Sequence, residues 1–217
     1  MGANPNPIAT PSLTIAGLAG SIRRGSFNRS LLMAAKELAA PRLEIQILEI
    51  SDIPLYNQDL DSLDVPEAVS RLRRQVRSAN ALLIATPEYN HSVPGVLKNV
   101  LDWLSRPPRA SALQGKPAAV MGASLGMTGT ARAQEQVRQS LVFTNSPTLL
   151  QPEVLVSHAE QRFDVSGHLI DAATREVLVG FLSAFEAWIT RFEPSRVERD
   201  LQSPLPAASV TPVDITT

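Results

Sequence analysis

The sequence has no cysteine. That excludes a disulfide framework, a thiolate zinc site, an iron–sulfur cluster and a cysteine nucleophile. Its three histidines, His91, His158 and His168, are dispersed, so no metal site is expected. Charge of one sign is also missing, with Lys+Arg at 20 against Asp+Glu at 21. Aromatics make up 5% of the chain and do not interleave with basic clusters, so neither nucleic acid nor an anionic membrane surface is an expected partner. No apolar run approaches the roughly 20 residues of a membrane span, and membrane insertion is not expected. The opening MGANPNPIATPS lacks the basic start and apolar stretch of a signal peptide, which makes the cytoplasm the expected location. Neither GxxxxGK[ST] nor GxGxxG occurs, which argues against an ATPase and a Rossmann-type dehydrogenase.

What is present suits one domain. The chain has 217 residues, 44% of them hydrophobic, enough to bury a core without staples. Residues 1–12 and 193–217 are rich in Pro, Ser, Thr and Ala, so flexible tails are expected around a domain at 13–192. Within it, short apolar runs at 13–19, 43–50, 81–85, 118–123 and 153–156 read as strands. Between them, 30–40, 65–79, 95–105, 128–143 and 172–192 read as helices. The second carries Val69, Leu72 and Val76 on one face, with Arg71, Arg73, Arg74 and Arg77 as a solvated charge run. The third starts beside Pro94 and carries Val96, Leu97, Val100, Leu101 and Leu104. In the last, Val177, Phe181, Phe185, Trp188 and Ile189 are the expected core face. Strands this apolar, separated by helices, imply a parallel sheet covered on both faces. Right-handed crossovers make it doubly wound, and such sheets bind ligands beyond the carboxyl ends of their strands.

Three loops would meet there in a sheet of order 2-1-3-4-5. The first, Gly20-Ser21-Ile22-Arg23-Arg24-Gly25-Ser26-Phe27-Asn28, leads from a buried strand into a helix. A helix N-terminus attracts anions, Arg23 can pair with a phosphate, and Ser21, Ser26 and Asn28 add short donors. A cap and a tight turn would explain any one of these residues; their concentration points to a single phosphate. The second loop, Thr86-Pro87-Glu88-Tyr89-Asn90-His91-Ser92-Val93-Pro94, is stiffened by prolines. It is either a rigid connection with Ser92 as helix cap or a platform for a flat polar ring. The third, Ala123-Ser124-Leu125-Gly126-Met127-Thr128-Gly129, lets a backbone approach something closely. Connections at the opposite sheet edge carry little chemistry. The asymmetry suggests a phosphate joined to a planar heterocycle.

With GSIRRGSFN at 20–28, DIPLYNQDL at 52–60, TPEYNHSVPGVLKNVLDWLSR at 86–106 and GASLGMTG at 122–129, the sequence resembles the NAD(P)H-dependent FMN reductase family of flavodoxin-like quinone, azo-dye, ferric and chromate reductases. The resemblance spans about residues 12–192, and is strongest to the quinone reductases also described as chromate reductases. It implies FMN as cofactor and NADPH or NADH as co-substrate. It places Ser21, Arg23, Ser26 and Asn28 on the FMN phosphate, with Phe27 beside them. Pro87, Glu88, Tyr89 and Asn90 would line the isoalloxazine, largely through main-chain atoms, and Ser124 and Gly126 would meet its pyrimidine side. Tyr89 and Asn90 would also shape the acceptor pocket. The chemistry would be hydride transfer at flavin N5 and then reduction of a quinone-type acceptor, ping-pong, with no side chain as catalyst. A homodimer or homotetramer is implied; Glu135 stands where close relatives can have tyrosine, which favours the dimer. The alternative is a flavodoxin-like electron carrier, but flavodoxins usually have a Ser/Thr-Gly-Thr type of phosphate loop.

Overall fold

Alternating apolar strands and amphipathic helices form five strands and six helices in the computed structural model, which describes residues 12–39 and 41–192. The expected tails lie outside the described residues, apart from Ser12. In chain order the elements are β1 (Leu13–Ala19), α1 (Phe27–Leu38), β2 (Leu43–Ile47), α2 (Gln58–Leu63), α3 (Glu67–Ser78), β3 (Ala81–Ala85), α4 (Gly95–Leu104), β4 (Ala118–Ala123), α5 (Ala131–Phe143), β5 (Leu155–Val156) and α6 (Ala172–Thr190). The strands form one sheet in the order β2-β1-β3-β4-β5, parallel throughout. This is the flavodoxin-like order expected from the sequence.

The sheet separates two apolar layers. On one face Leu31, Leu32 and Ala35 of α1 pack with Leu178, Phe181 and Phe185 of α6 against Ile15, Ile45 and Leu83. On the other, Leu72 and Val76 of α3, Leu97, Val100 and Leu104 of α4, and Val137 and Leu141 of α5 cover Leu18, Leu82 and Val120. Alternate residues of one strand thus serve opposite layers, as the pleat requires.

Local chemistry moves several boundaries. Helix α1 starts at Phe27, ahead of the expected 30, because the Ser26 hydroxyl accepts from the Arg29 N–H and opens the helix there. Strand β2 stops at Ile47 and β5 is two residues long; both lie at the edges of the sheet, where short strands limit pairing with other chains. Helix α2, not anticipated, is N-capped by Asn57, whose side chain accepts from the Asp59 N–H. Helix α4 has Pro94, not Ser92, as its N-cap.

Two expected faces are corrected. Val177 is exposed, and Leu178 and Leu182 take its place beside Phe181, Phe185 and Ile189. At 3.6 residues per turn, 178, 181, 182 and 189 fall within about 60° of Phe185 around the helix, whereas Val177 falls about 80° away and leaves the buried stripe. Arg73 is not solvated: it is 5% exposed. It lies four residues after Val69 and three before Val76, on the apolar stripe. Its Nε and Nη2 donate to the Trp103 carbonyl at 3.1 and 2.9 Å. Nη2 also lies 2.8 Å from Asp61 Oδ1, an ion pair without hydrogen-bond alignment. Nearby, Asn99 Nδ2 and Trp103 Nε1 both donate to the Pro54 carbonyl at 2.8 Å. The 52–60 segment is thereby tied to α4.

Candidate functional site

Strands β1, β3 and β4 end at one edge of the sheet, and the loops after them enclose a cleft of about 450 Å³. In the first loop Ser21 Oγ accepts from the Arg23 N–H at 3.3 Å. Arg23 folds over the Phe27 ring, 5.7 Å from its centroid, and its Nη2 donates to the Gly25 carbonyl at 2.6 Å. The first-turn N–H groups of α1 lack carbonyl partners within the helix and supply donors at this end.

Asn28 is buried and has a definite partner. Its Nδ2 donates to the Ala123 carbonyl and its Oδ1 accepts from the Ala123 N–H, both at 2.9 Å. The side-chain amide therefore fastens the start of α1 to the end of β4, holding the first and third loops in register.

In the second loop Tyr89 and Ser92 exchange main-chain hydrogen bonds of 3.2 and 2.9 Å around Asn90 and His91. Both corner residues have positive φ, 51° and 60°, as a two-residue primed turn requires. Asn90 accepts that conformation readily. Gln136 of α5 braces the turn: its Oε1 accepts from the Ser92 hydroxyl at 2.6 Å and its Nε2 donates to the His91 carbonyl at 3.2 Å. Thr130, at the start of α5, offers that helix no side-chain cap. Glu88 supplies one from across the cleft, accepting from the Arg132 and Ala133 N–H groups at 3.1 and 3.2 Å.

The third loop is shaped by Ser124, whose hydroxyl donates to the Gly129 carbonyl and accepts from the Gly126 N–H. Gly129 has φ of +59°, and a Cβ there would sit 2.9 Å from the Leu155 carbonyl carbon. Only glycine fits.

Of the residues singled out from the sequence, Ser21, Arg23, Ser26, Phe27, Asn28, Pro87, Glu88, Tyr89, Ser124 and Gly126 line the cleft. Asn90 is not among its lining residues; it forms the outer corner of the turn. His91, Leu125, Thr128, Gly129 and Arg132 also line it and were not singled out. His91 follows directly after the chosen loop residues. Arg132 is hidden in sequence because it belongs to a helix whose N-terminal end meets the cleft only once the chain is folded.

The donor set suits a ligand with two dissimilar ends. One end has a guanidinium, two hydroxyls and a helix N-terminus, which fit a phosphate. The other has main chain and small residues, which fit a flat ring. Residues 13–161, which include all three loops, match the profile of NADPH-dependent FMN reductase. The chain belongs to this family. Within the FMN reductases it is 49% identical over 179 residues to an NAD(P)H-dependent FMN reductase of Pseudomonas aeruginosa, over 82% of this chain and 96% of that one. It is 44% identical over 176 residues to a quinone reductase of Pseudomonas putida, over 81% of this chain and 94% of the relative. A solved structure of a flavoenzyme NAD(P)H:(acceptor) oxidoreductase from Paracoccus denitrificans is similar with a TM-score of 0.77 and 38% identity, over 82% of this chain and 98% of that one. This FMN reductase is accordingly an NAD(P)H-dependent enzyme. Among the described residues, no helix is long and apolar enough to cross a membrane.

Proposed function

We propose that this reductase holds FMN in the cleft and reduces a quinone with NAD(P)H, giving NAD(P)+ and a hydroquinone with uptake of one proton. The observation that carries this reading is the convergence of the three loops on one cleft, with a guanidinium, hydroxyls and a helix N-terminus at one end and main chain and small residues at the other. Quinone as acceptor is supported by the 44% identity to the Pseudomonas putida enzyme. When bound, FMN supplies the redox chemistry, taking a hydride from nicotinamide and passing reducing equivalents to the acceptor.

The protein supplies position and field. Arg23, Ser21, Ser26 and the first-turn N–H groups of α1 hold the phosphate, and Asn28 contributes its main chain while its amide keeps the third loop in place. The braced turn at 87–92 presents main-chain atoms to the ring. The Ser124–Gly126 segment, held in shape by the Ser124 hydroxyl's bonds to Gly126 and Gly129, would lie close against the pyrimidine side of the ring. Tyr89, exposed at the rim, shapes the acceptor pocket. No side chain acts as nucleophile. One cleft serves nicotinamide and acceptor in turn, so kinetics are ping-pong. The assembly this reading implies is a homodimer or a homotetramer.

The test is anaerobic addition of NADH or NADPH to purified protein while its visible spectrum is recorded. A bound-flavin spectrum that bleaches directly, then recovers on addition of quinone, supports the proposal. Flavin that stays oxidised with both nicotinamides makes the protein an electron carrier instead. Failure to take up FMN removes the cofactor assignment.

A further inference from the structure

We propose that a basic trough beside the cleft, bounded by Arg24 and Arg29, takes the adenosine 2′-phosphate of NADPH and makes the reductase prefer NADPH to NADH. The inference rests on the cleft being the place where nicotinamide meets the flavin. The trough is a second cavity, of about 310 Å³, that shares Ser21 and Arg23 with the cleft and so continues from its phosphate end. Its floor is apolar: Leu48 and Ile50, from the segment after β2, are buried there. Ile22 lines it too and is 59% exposed.

Three arginines and one carboxylate, Glu49, line the trough. Arg23 serves the flavin phosphate. Glu49 is turned back on its own chain, its Oε1 accepting from the Ile50 and Ser51 N–H groups, both at 3.0 Å. Arg24 and Arg29 are exposed, and neither guanidinium has a hydrogen bond or an ion pair among the described residues. Arg29 feels the Glu49 charge at longer range. Arg24 precedes α1 and Arg29 sits in its first turn, where the helix dipole disfavours a cation. Two such guanidiniums, beyond what one flavin phosphate engages, call for a second anion. A nicotinamide dinucleotide is longer than FMN. With its nicotinamide on the ring and its diphosphate folded back along the ribityl chain, its adenosine half passes the phosphate end. NADPH and NADH differ there by one dianionic phosphate, whose oxygens match guanidinium forks. Dinucleotide-binding sheets also read this position beyond their second strand, with an acid for the free hydroxyl and an arginine for the phosphate. Ile22 offers the adenine an apolar face.

The test measures binding of adenosine 2′,5′-bisphosphate and of 5′-AMP to oxidised, FMN-loaded protein by calorimetry, for the wild type, Arg24→Gln, Arg29→Gln and Glu49→Gln. The wild type should bind the bisphosphate more tightly. Each arginine variant should lose about tenfold or more for the bisphosphate and far less for 5′-AMP. Glu49→Gln should move the other way, binding the bisphosphate more tightly than the wild type does. In anaerobic flavin bleaching, the arginine variants should need more NADPH to reach half the limiting rate. That limiting rate, the response to NADH and the flavin content should hold. Equal binding of the two adenosine phosphates by the wild type, or equal losses for NADPH and NADH in the variants, overturns the proposal. Arg24-dependent uptake of FAD in preference to FMN, with the NADPH response unmoved, also overturns it and gives the trough to a flavin adenylate. Arginine-dependent preference for the bisphosphate without bleaching by NAD(P)H would leave the phosphate site standing and remove the reductase reading. Bleaching with no such preference would do the reverse.

Discussion

At the residue scale, Gly122 shows how tightly the cleft is built from behind. A Cβ at this position in β4 would overlap the Thr130 hydroxyl and the Thr86 carbonyl, both fully buried. Thr86 leads into Pro87 and Thr130 leads into α5, so the strain would spread into two walls of the site. Gly122→Ala is expected to destabilise the fold by about 1–3 kcal/mol, typical of overpacking, and to weaken flavin retention. Urea unfolding and flavin content after dialysis check the two effects. The same scale shows what a sequence conceals. Arg73 could have been placed inside, because its spacing from Val69 and Val76 puts it on the buried stripe. Asn28 could not have been joined to Ala123, because nothing in either residue's neighbourhood names a partner 95 positions away. Glu88 is a similar case: a loop carboxylate is visible as a possible cap, but not the helix it caps.

At the element scale, helix ends organise both the site and the acid response. Helix α6 is capped by Asp171, whose carboxylate accepts from the Thr174 hydroxyl and N–H at 2.6 and 2.8 Å and pairs with Arg162 at 2.8 Å. The Thr174 hydroxyl, then its N–H, holds this carboxyl below its ordinary value of 3.8. The lowered group lends stability that is fully present above pH 3.8 and is lost as pH falls through the folded-state value. Below pH 3.8, Asp171→Asn should therefore lose Tm less steeply than the wild type, a difference that thermal scans in acid buffers would reveal. The central strands were legible because buried parallel strands are nearly uninterrupted apolar runs, while their order came with the flavodoxin-like fold and not from the runs themselves. Helix boundaries were less so: α1 depends on which of two serines caps it, and the phase of α6 is blurred by three apolar neighbours, Val177, Leu178 and Val179. Helix α2 has no apolar periodicity to announce it.

At the scale of the whole molecule, the sheet joins two cores, and the proposed cofactor adds a third source of cohesion along one edge. A ligand that binds only the folded form stabilises it, by about 2.7 kcal/mol at a hundredfold excess over Kd. The Tm should therefore rise with FMN concentration. Arg23 is exposed, so Arg23→Ala should leave the apo-protein's Tm nearly unchanged while flavin affinity drops about tenfold or more. Parallel Tm and flavin titrations on both proteins would show it. The amide bridge between Asn28 and Ala123 also imposes a timetable on biosynthesis. Helix α1 leaves the ribosome early, yet the latch that sets its position at the cleft is the last residue of β4. A nascent chain that stops short of Ala123 carries the proposed phosphate-binding residues without the strand that aligns them, so capture of the proposed cofactor would have to follow the synthesis of β4.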